Sequence, residues 1–161
     1  MPWNKPYHPP KNQRLDPALY ASCDHVVFIT ICTNSRKQAF VRPDLNQLVI
    51  DELQEQQSQN GCRVYTYCLM PDHIHYLVRP AEDGISVLTF TNRFKGKATN
   101  QSWVVGWQGK LWQRGSWDHI VRAEESLLAI AQYILDNPVR KGLVARAEDW
   151  PWSGHMNPLP L

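Results

Sequence analysis

Two histidines one residue apart, His73-Ile74-His75, are the sharpest chemical feature of this 161-residue chain. In a strand, side chains alternate between faces, so both imidazoles project from one side, close enough to hold a single metal ion, while Ile74 points into a core. Two protonated imidazoles so close would repel, whereas a shared cation favours the neutral forms. Taken alone, HxH more often marks two half-buried polar residues on a sheet. Farther along, Tyr133 and Asn137 stand four residues apart. On a helix they share a side, one turn from each other, at the edge of the apolar stripe Leu127, Ile130, Ala131 and Ile134. A tyrosine at such an edge ordinarily packs with its hydroxyl satisfied. If the helix covers the sheet face that carries the histidines, a phenol, an amide and two imidazoles surround one cation.

Charge supplies a third feature. From residue 93 to residue 122, Arg93, Lys95, Lys97, Lys110, Arg114 and Arg122 stand against one acid, Asp118, although the whole chain carries only +2. Trp103, Trp107, Trp112 and Trp117 lie in the same window. A basic stripe with aromatics suits a phosphate backbone with stacked, unpaired bases. A solvated face over core tryptophans gives the same composition.

The elements that must position these residues follow from patterning. Residues 1–22 carry five prolines and no periodicity, an irregular lead-in to a single domain over 23–161. Residues 26–33 (VVFITICT) are apolar on both faces and β-branched, a central strand. Pro43 opens a helix with Asp44 in its first turn and the stripe Leu45, Leu48, Val49 and Leu53, and Asn60-Gly61 ends it. Residues 62–70 alternate as a strand, with Tyr65, Tyr67 and Leu69 on one face and Val64, Thr66 and Cys68 on the other. Pro71-Asp72 turns into a third strand over residues 73–79, antiparallel to the second. A helix is predicted from Ile85 to about Asn100, then a short strand pair within 110–122 broken around Gly115. A last helix starts at Glu124-Glu125 and is bounded or kinked by Pro138, and the tail around Trp150-Pro151-Trp152 is irregular. The order strand, helix, strand, strand, helix, strand predicts an α+β, ferredoxin-like (split βαβ) antiparallel sheet with two helices on one face. The other face is left for a site, with the C-terminal helix laid against it.

Composition narrows the class. A hydrophobic content of 43% supports a core, no apolar run is long enough for a membrane span, and the N-terminus lacks a signal-like apolar stretch. The expected setting is cytoplasmic and nucleoid-associated, with no membrane partner. Four cysteines, Cys23, Cys32, Cys62 and Cys68, form no CxxC pair, so no disulfide framework is expected, and Cys32 and Cys68 read as small core residues.

Three ordered motifs carry a resemblance. Residues 67–75 (YCLMPDHIH) resemble the MPNHIH signature of single-tyrosine HUH transposases. Residues 112–122 (WQRGSWDHIVR), Glu124-Glu125 and residues 133–143 (YILDNPVRKGL) resemble the downstream block of the REP-associated tyrosine transposases, and residues 150–153 (WPWS) fit that group as well. The resemblance implies a C-terminal helix carrying a nucleophilic Tyr133 that forms a 5′-phosphotyrosine. It also implies Mg²⁺ or Mn²⁺ on His73 and His75, with Asn137 one turn beyond the tyrosine completing the site. The implied substrate is single-stranded DNA with a hairpin or palindromic repeat, handled by a monomer or homodimer. Arg93, Lys95, Lys97, Arg114 and Arg122 are the expected DNA contacts. Asp72 departs from the motif's usual Asn at a turn position that tolerates either. Asp72 and His119 are both open as the general base. The rival reading is a catalytically inactive ferredoxin-like nucleic-acid-binding module with Tyr65 and Tyr67 as surface aromatics. A zinc deaminase would need HxE and PCxxC signatures, and neither occurs.

Overall fold

A computed structural model describes residues 6–10 and 14–161. The rest of the proline-rich lead-in, residues 1–5 and 11–13, lies outside the described residues. The β-branched run forms β1 (Val27–Cys32), an interior strand of the sheet. Helix α1 (Pro43–Asn60) opens on its proline, buries Leu45, Val49, Ile50 and Leu53, and stops at Gly61, whose φ of 64° is left-handed. The left-handed φ favours glycine, and a Cβ there would fall 2.6 Å from Ile85 Cδ1, so the end of that side chain would have to move aside. Strands β2 (Cys62–Met70) and β3 (His73–Pro80) follow, joined by the Pro71-Asp72 turn. Helix α2 (Val87–Val104) is capped by Ser86, whose hydroxyl accepts from Leu88 N at 3.2 Å and Thr89 N at 3.3 Å. Strand β4 (Trp117–Ile120), helix α3 (Leu127–Leu135), the short helix α4 (Asn137–Arg140) and β5 (Ser153–His155) complete the chain.

All pairings are antiparallel, in the order β4-β1-β3-β2-β5. The first six elements make the predicted ferredoxin-like core. One sheet face carries Ile29, Ile31, Ile74, Tyr76 and Val78 against α1 and α2, where Leu45, Leu53, Phe90 and Phe94 close an apolar layer. Burying each such side chain stabilises the fold by about 1.5–3 kcal/mol. The other face carries Phe28, Tyr65, Cys68 and Leu77 against Ile130, Ala131 and Ile134 of α3, with Tyr7 packed alongside. Tyr65 is therefore buried, and Tyr67 packs toward the α1 and α2 side, so the aromatic sheet platform of the binding-module reading does not form.

Five local expectations are corrected. The strict alternation over residues 62–70 is broken by a bulge between Val64 and Tyr67. An extra residue shifts the pleat, so Val64 joins Tyr67 and Leu69 on the helix side while Tyr65 and Cys68 turn to the other. The strand pair over 110–122 is not a hairpin: Trp112 bridges Thr33 and β4 pairs with β1, so both pieces line one edge of the same strand. The last helix starts after Glu124-Glu125, because Ser126 caps it by accepting from Ala129 N at 3.1 Å. Glu125 instead closes the preceding turn, accepting from Arg122 N at 2.9 Å. The tail supplies β5 on the edge of β2, a three-residue strand too short to carry a periodicity. Cys32 is only half-buried and faces away from the α1 and α2 core, whereas Cys68 is buried as a small core residue. The described lead-in also packs more than its prolines imply. Pro17–Ala21 forms a 3-10 turn that buries Tyr20, and Arg14 pairs with the buried Asp118 at 2.6 Å.

Candidate active site

His73 and His75 share one side of β3, with ring centroids 4.6 Å apart, as alternation requires. Each ring is held through Nδ1. His73 Nδ1 lies 2.7 Å from Asp72 Oδ1, and His75 Nδ1 lies 2.7 Å from the Thr30 hydroxyl. Thr30 reaches His75 because the two are register partners across β1 and β3. The two residues are 6% and 8% exposed, close to fully buried. Burial pushes the His73 pKa down against the opposing pull of Asp72, and burial followed by the charge of His73 pushes His75 well below the ordinary histidine range. Both imidazoles are therefore neutral near pH 7. Burial would raise the Asp72 carboxyl, but the hydrogen bonds and charges of His73 and Arg36 outweigh it and hold the group below its usual range.

Helix α3 brings Tyr133 over this face. Its ring lies 6.5 Å from that of His75 and meets Tyr7 edge-on at 5.3 Å. The helix breaks at Asp136, and Pro138 opens α4, since a proline supplies no N–H to continue the ladder. The break turns Asn137 inward. Its Nδ2 lies 3.3 Å from His73 Nε2, and its Oδ1 is buried without a partner. A cavity of about 350 Å³ opens here, lined by Thr30, Cys32, Arg36, His73, His75, Tyr133, Asn137, Arg140 and Lys141. Three cations thus stand around the histidine pair. The Arg140 guanidinium carbon is 3.8 Å from the Tyr133 ring centroid, and its Nη1 donates to Tyr133 O at 2.8 Å, fixing the ring from outside. Arg36 reaches the cavity from a turn in which Ser35 and Arg36 both have left-handed φ, 56° and 53°. Such a conformation costs roughly 1–2 kcal/mol per residue, and strain of this kind clusters at functional sites.

The structure brings Tyr133, His73, His75 and Asn137 to one cavity. The five basic residues expected to bind DNA, Arg93, Lys95, Lys97, Arg114 and Arg122, do not line it. Arg93, Lys95 and Lys97 ride on α2, on the opposite side of the sheet from the histidines. Lys95 holds a loop together, its Nζ donating to Gln113 O at 2.9 Å and Gly115 O at 2.7 Å, and Arg93 bonds to Asn60. Trp112 is core, and the Trp103 indole is tied to Gly109 O at 2.8 Å. Neither open candidate for general base lines the cavity: Asp72 sits behind His73, and His119 pairs with Glu125 at 2.9 Å while stacking on Trp117. Sequence reasoning missed Thr30, Arg36, Arg140 and Lys141. Arg140-Lys141 three residues after Asn137 was a readable signal, a cation pair on the same helical turn as the site amide. Arg36 had none, because only the loop conformation delivers it.

The donor set can be tested against a divalent cation. Asp72, a carboxylate, only accepts, so His73 Nδ1 carries the proton and the Nε2 lone pair faces the cavity, where it accepts from Asn137 Nδ2. Thr30 engages His75 Nδ1 and leaves Nε2 for the cavity. Among the described residues no cluster of three His, Cys, Asp or Glu side chains forms; the other side-chain oxygen beside the pair that lacks a partner is Asn137 Oδ1, a buried acceptor that a cation would satisfy. Two neutral imidazoles and an amide oxygen fit a divalent cation that completes its shell with water or phosphate oxygens.

Comparison with known proteins follows the same lines. The sequence model described as Transposase IS200 like matches residues 21–137. A Haemophilus influenzae protein assigned as a REP-associated tyrosine transposase is 27% identical over 141 residues, covering 78% of this chain and 77% of the relative. The Escherichia coli K12 REP-associated tyrosine transposase is 26% identical over 91 residues, covering 56% and 52%. A solved REP-associated tyrosine transposase bound to a REP hairpin superposes with a TM-score of 0.73 at 21% identity, over 89% of this chain and 81% of that one. At that identity the superposition speaks for the fold. No helix among the described residues is long and apolar enough to cross a membrane.

Proposed function

The chain belongs to the IS200-like transposase family, and on that premise we propose that it cuts and rejoins single-stranded DNA bearing a hairpin repeat, through a 5′-phosphotyrosine on Tyr133. The observation that carries this reading is the meeting of Tyr133, two neutral histidines and the unpartnered Asn137 Oδ1 in one cavity ringed by cations. Tyr133 Oη attacks the scissile phosphorus and the bond to the 3′ oxygen breaks. The phenol gives up its proton, the departing oxygen takes one up, and the 5′ phosphate stays on the tyrosine. His73, His75 and Asn137 would hold a divalent cation, Mg²⁺ or Mn²⁺, which would supply positive charge to offset the charge developing at the phosphate and would help orient the leaving group. Arg36 and Lys141 offer further positive charge to the phosphate, and Arg140 keeps the tyrosine ring in place. Because the covalent link conserves the phosphodiester, a later 3′-OH reverses the step and joins a new strand without a nucleotide cofactor. The REP hairpin bound by the superposed relative motivates the hairpin in the substrate.

Incubation with single-stranded hairpin DNA and Mn²⁺ should give a covalent protein–DNA adduct. Tyr133→Phe removes one oxygen, so the adduct should vanish while hairpin binding persists. An adduct formed by the phenylalanine variant would assign the nucleophile elsewhere.

A further inference from the structure

We propose that Asp72 is a positioning residue that locks His73 into the tautomer whose Nε2 lone pair faces the cavity, a role that rests on the metal reading above. The turn position that departs from the family motif is not an indifferent one here. Asp72 uses its two carboxylate oxygens on different partners: Oδ1 accepts from His73 Nδ1 at 2.7 Å and Oδ2 accepts from Arg36 Nε at 3.0 Å. Its backbone is fixed as well, since Thr33 N donates to Asp72 O at 2.9 Å. The carboxylate therefore has little freedom to leave His73.

The two histidines differ in this respect. The Thr30 hydroxyl can donate or accept, so it orients the His75 ring without choosing its tautomer. A carboxylate can only accept, so Asp72 places the His73 proton on Nδ1 and turns the Nε2 lone pair toward the cavity, where Asn137 Nδ2 donates to it at 3.3 Å until a cation takes its place. Such partners behind a metal-binding imidazole set ring orientation and donor strength together. An asparagine at this place keeps one acceptor oxygen but lacks the charge that holds Arg36, and its amide can rotate to present N–H. Arg36 in turn reaches the cavity from the left-handed turn at Ser35 and Arg36, so the same residue steadies the carboxylate and lines the substrate wall.

The test uses the full chain and two readouts. Nitrogen-15 NMR of the histidine rings in metal-free protein should show His73 with its proton on Nδ1; Asp72→Ala should give exchanging tautomers, and Asp72→Asn should restore the wild-type pattern in part. In Mn²⁺ titration calorimetry, Asp72→Ala should weaken binding roughly ten- to a hundredfold, with Asp72→Asn between. If the alanine variant does not fold, Asp72→Ser, a turn-forming residue too short to reach Nδ1, carries both measurements. A His73 ring that keeps its Nδ1 proton in these variants, with Mn²⁺ affinity within twofold of wild type, overturns the proposal. His73→Ala separates the two ideas: if it titrates like wild type, the metal reading itself has failed, and the tautomer measurement alone then decides the role of Asp72.

Discussion

The two faces of the sheet are built from alternating residues of the same strands, yet they do opposite work. On the α1 and α2 side, Ile29, Ile31, Ile74, Tyr76 and Val78 meet Phe90 and Phe94 in a closed apolar layer. Across the pleat, Thr30, His73 and His75 meet Tyr133 and Asn137 at a cavity, beside a smaller apolar patch of Phe28, Leu77 and Ile130. The first face holds the strands in place. The second can carry buried polar groups because the first, with that patch, supplies the stability they do not. Ile74 makes the point most directly, since it anchors β3 into one core while its two neighbours point into the other side.

Breaking the comparison should have its largest effect on the dry face. Phe94→Ala should cost about 3–5 kcal/mol, measured by urea denaturation, while the folded fraction still binds Mn²⁺. A loss below about 1 kcal/mol would mean that the core relaxes around the gap and the faces are less distinct than drawn. Gly61→Ala tests the same face through its backbone. A left-handed φ and a contact with Ile85 should together cost about 1–2 kcal/mol, read as a lowered denaturation midpoint with no change in cleavage per folded molecule.

On the site face the balance reverses. Asn137→Leu removes an unpartnered buried oxygen together with the long Nδ2 contact to His73; the two effects oppose, so stability should stay within about 1 kcal/mol of wild type while Mn²⁺ binding and cleavage fall. Asn137→Asp, which keeps an oxygen, should retain part of both. If the leucine variant cleaves normally, the amide serves only the chain break before Pro138. The smallest expected effects concern salt. Lys141→Ala should lower the log–log salt dependence of hairpin binding by about 0.7 for one lost single-strand contact. Lys95→Ala, whose Nζ is spent on Gln113 and Gly115 carbonyls, should leave the slope unchanged and lower thermal stability instead. The reverse pattern would return DNA contact to α2.

Much of this was written locally. The bounds of α1, the Asn60-Gly61 stop, the β2–β3 pair and the common face of His73 and His75 all follow from short-range patterning, because helix stripes, left-handed caps and strand pleats are set by neighbours in sequence. The spacing of Tyr133 and Asn137 was equally legible. Of the cations that join them, Arg140-Lys141 was legible from its place after Asn137, while Arg36 was not. A charge count over residues 93–122 singles out a stripe half of which, Arg93, Lys95 and Lys97, rides on α2; a helix that packs one side of a sheet presents its charges away from a site on the other, and the cavity's cations come from Arg36, Arg140 and Lys141. The bulge in β2, the capture of β4 by β1 and the docking of β5 are likewise tertiary, decided by which edges remained to be paired. Asp72 belongs to both levels. Its place in a turn is local, but its carboxylate gains a role only when the loop after β1 folds back and a left-handed turn hands it Arg36, a contact across 36 residues that no periodicity encodes.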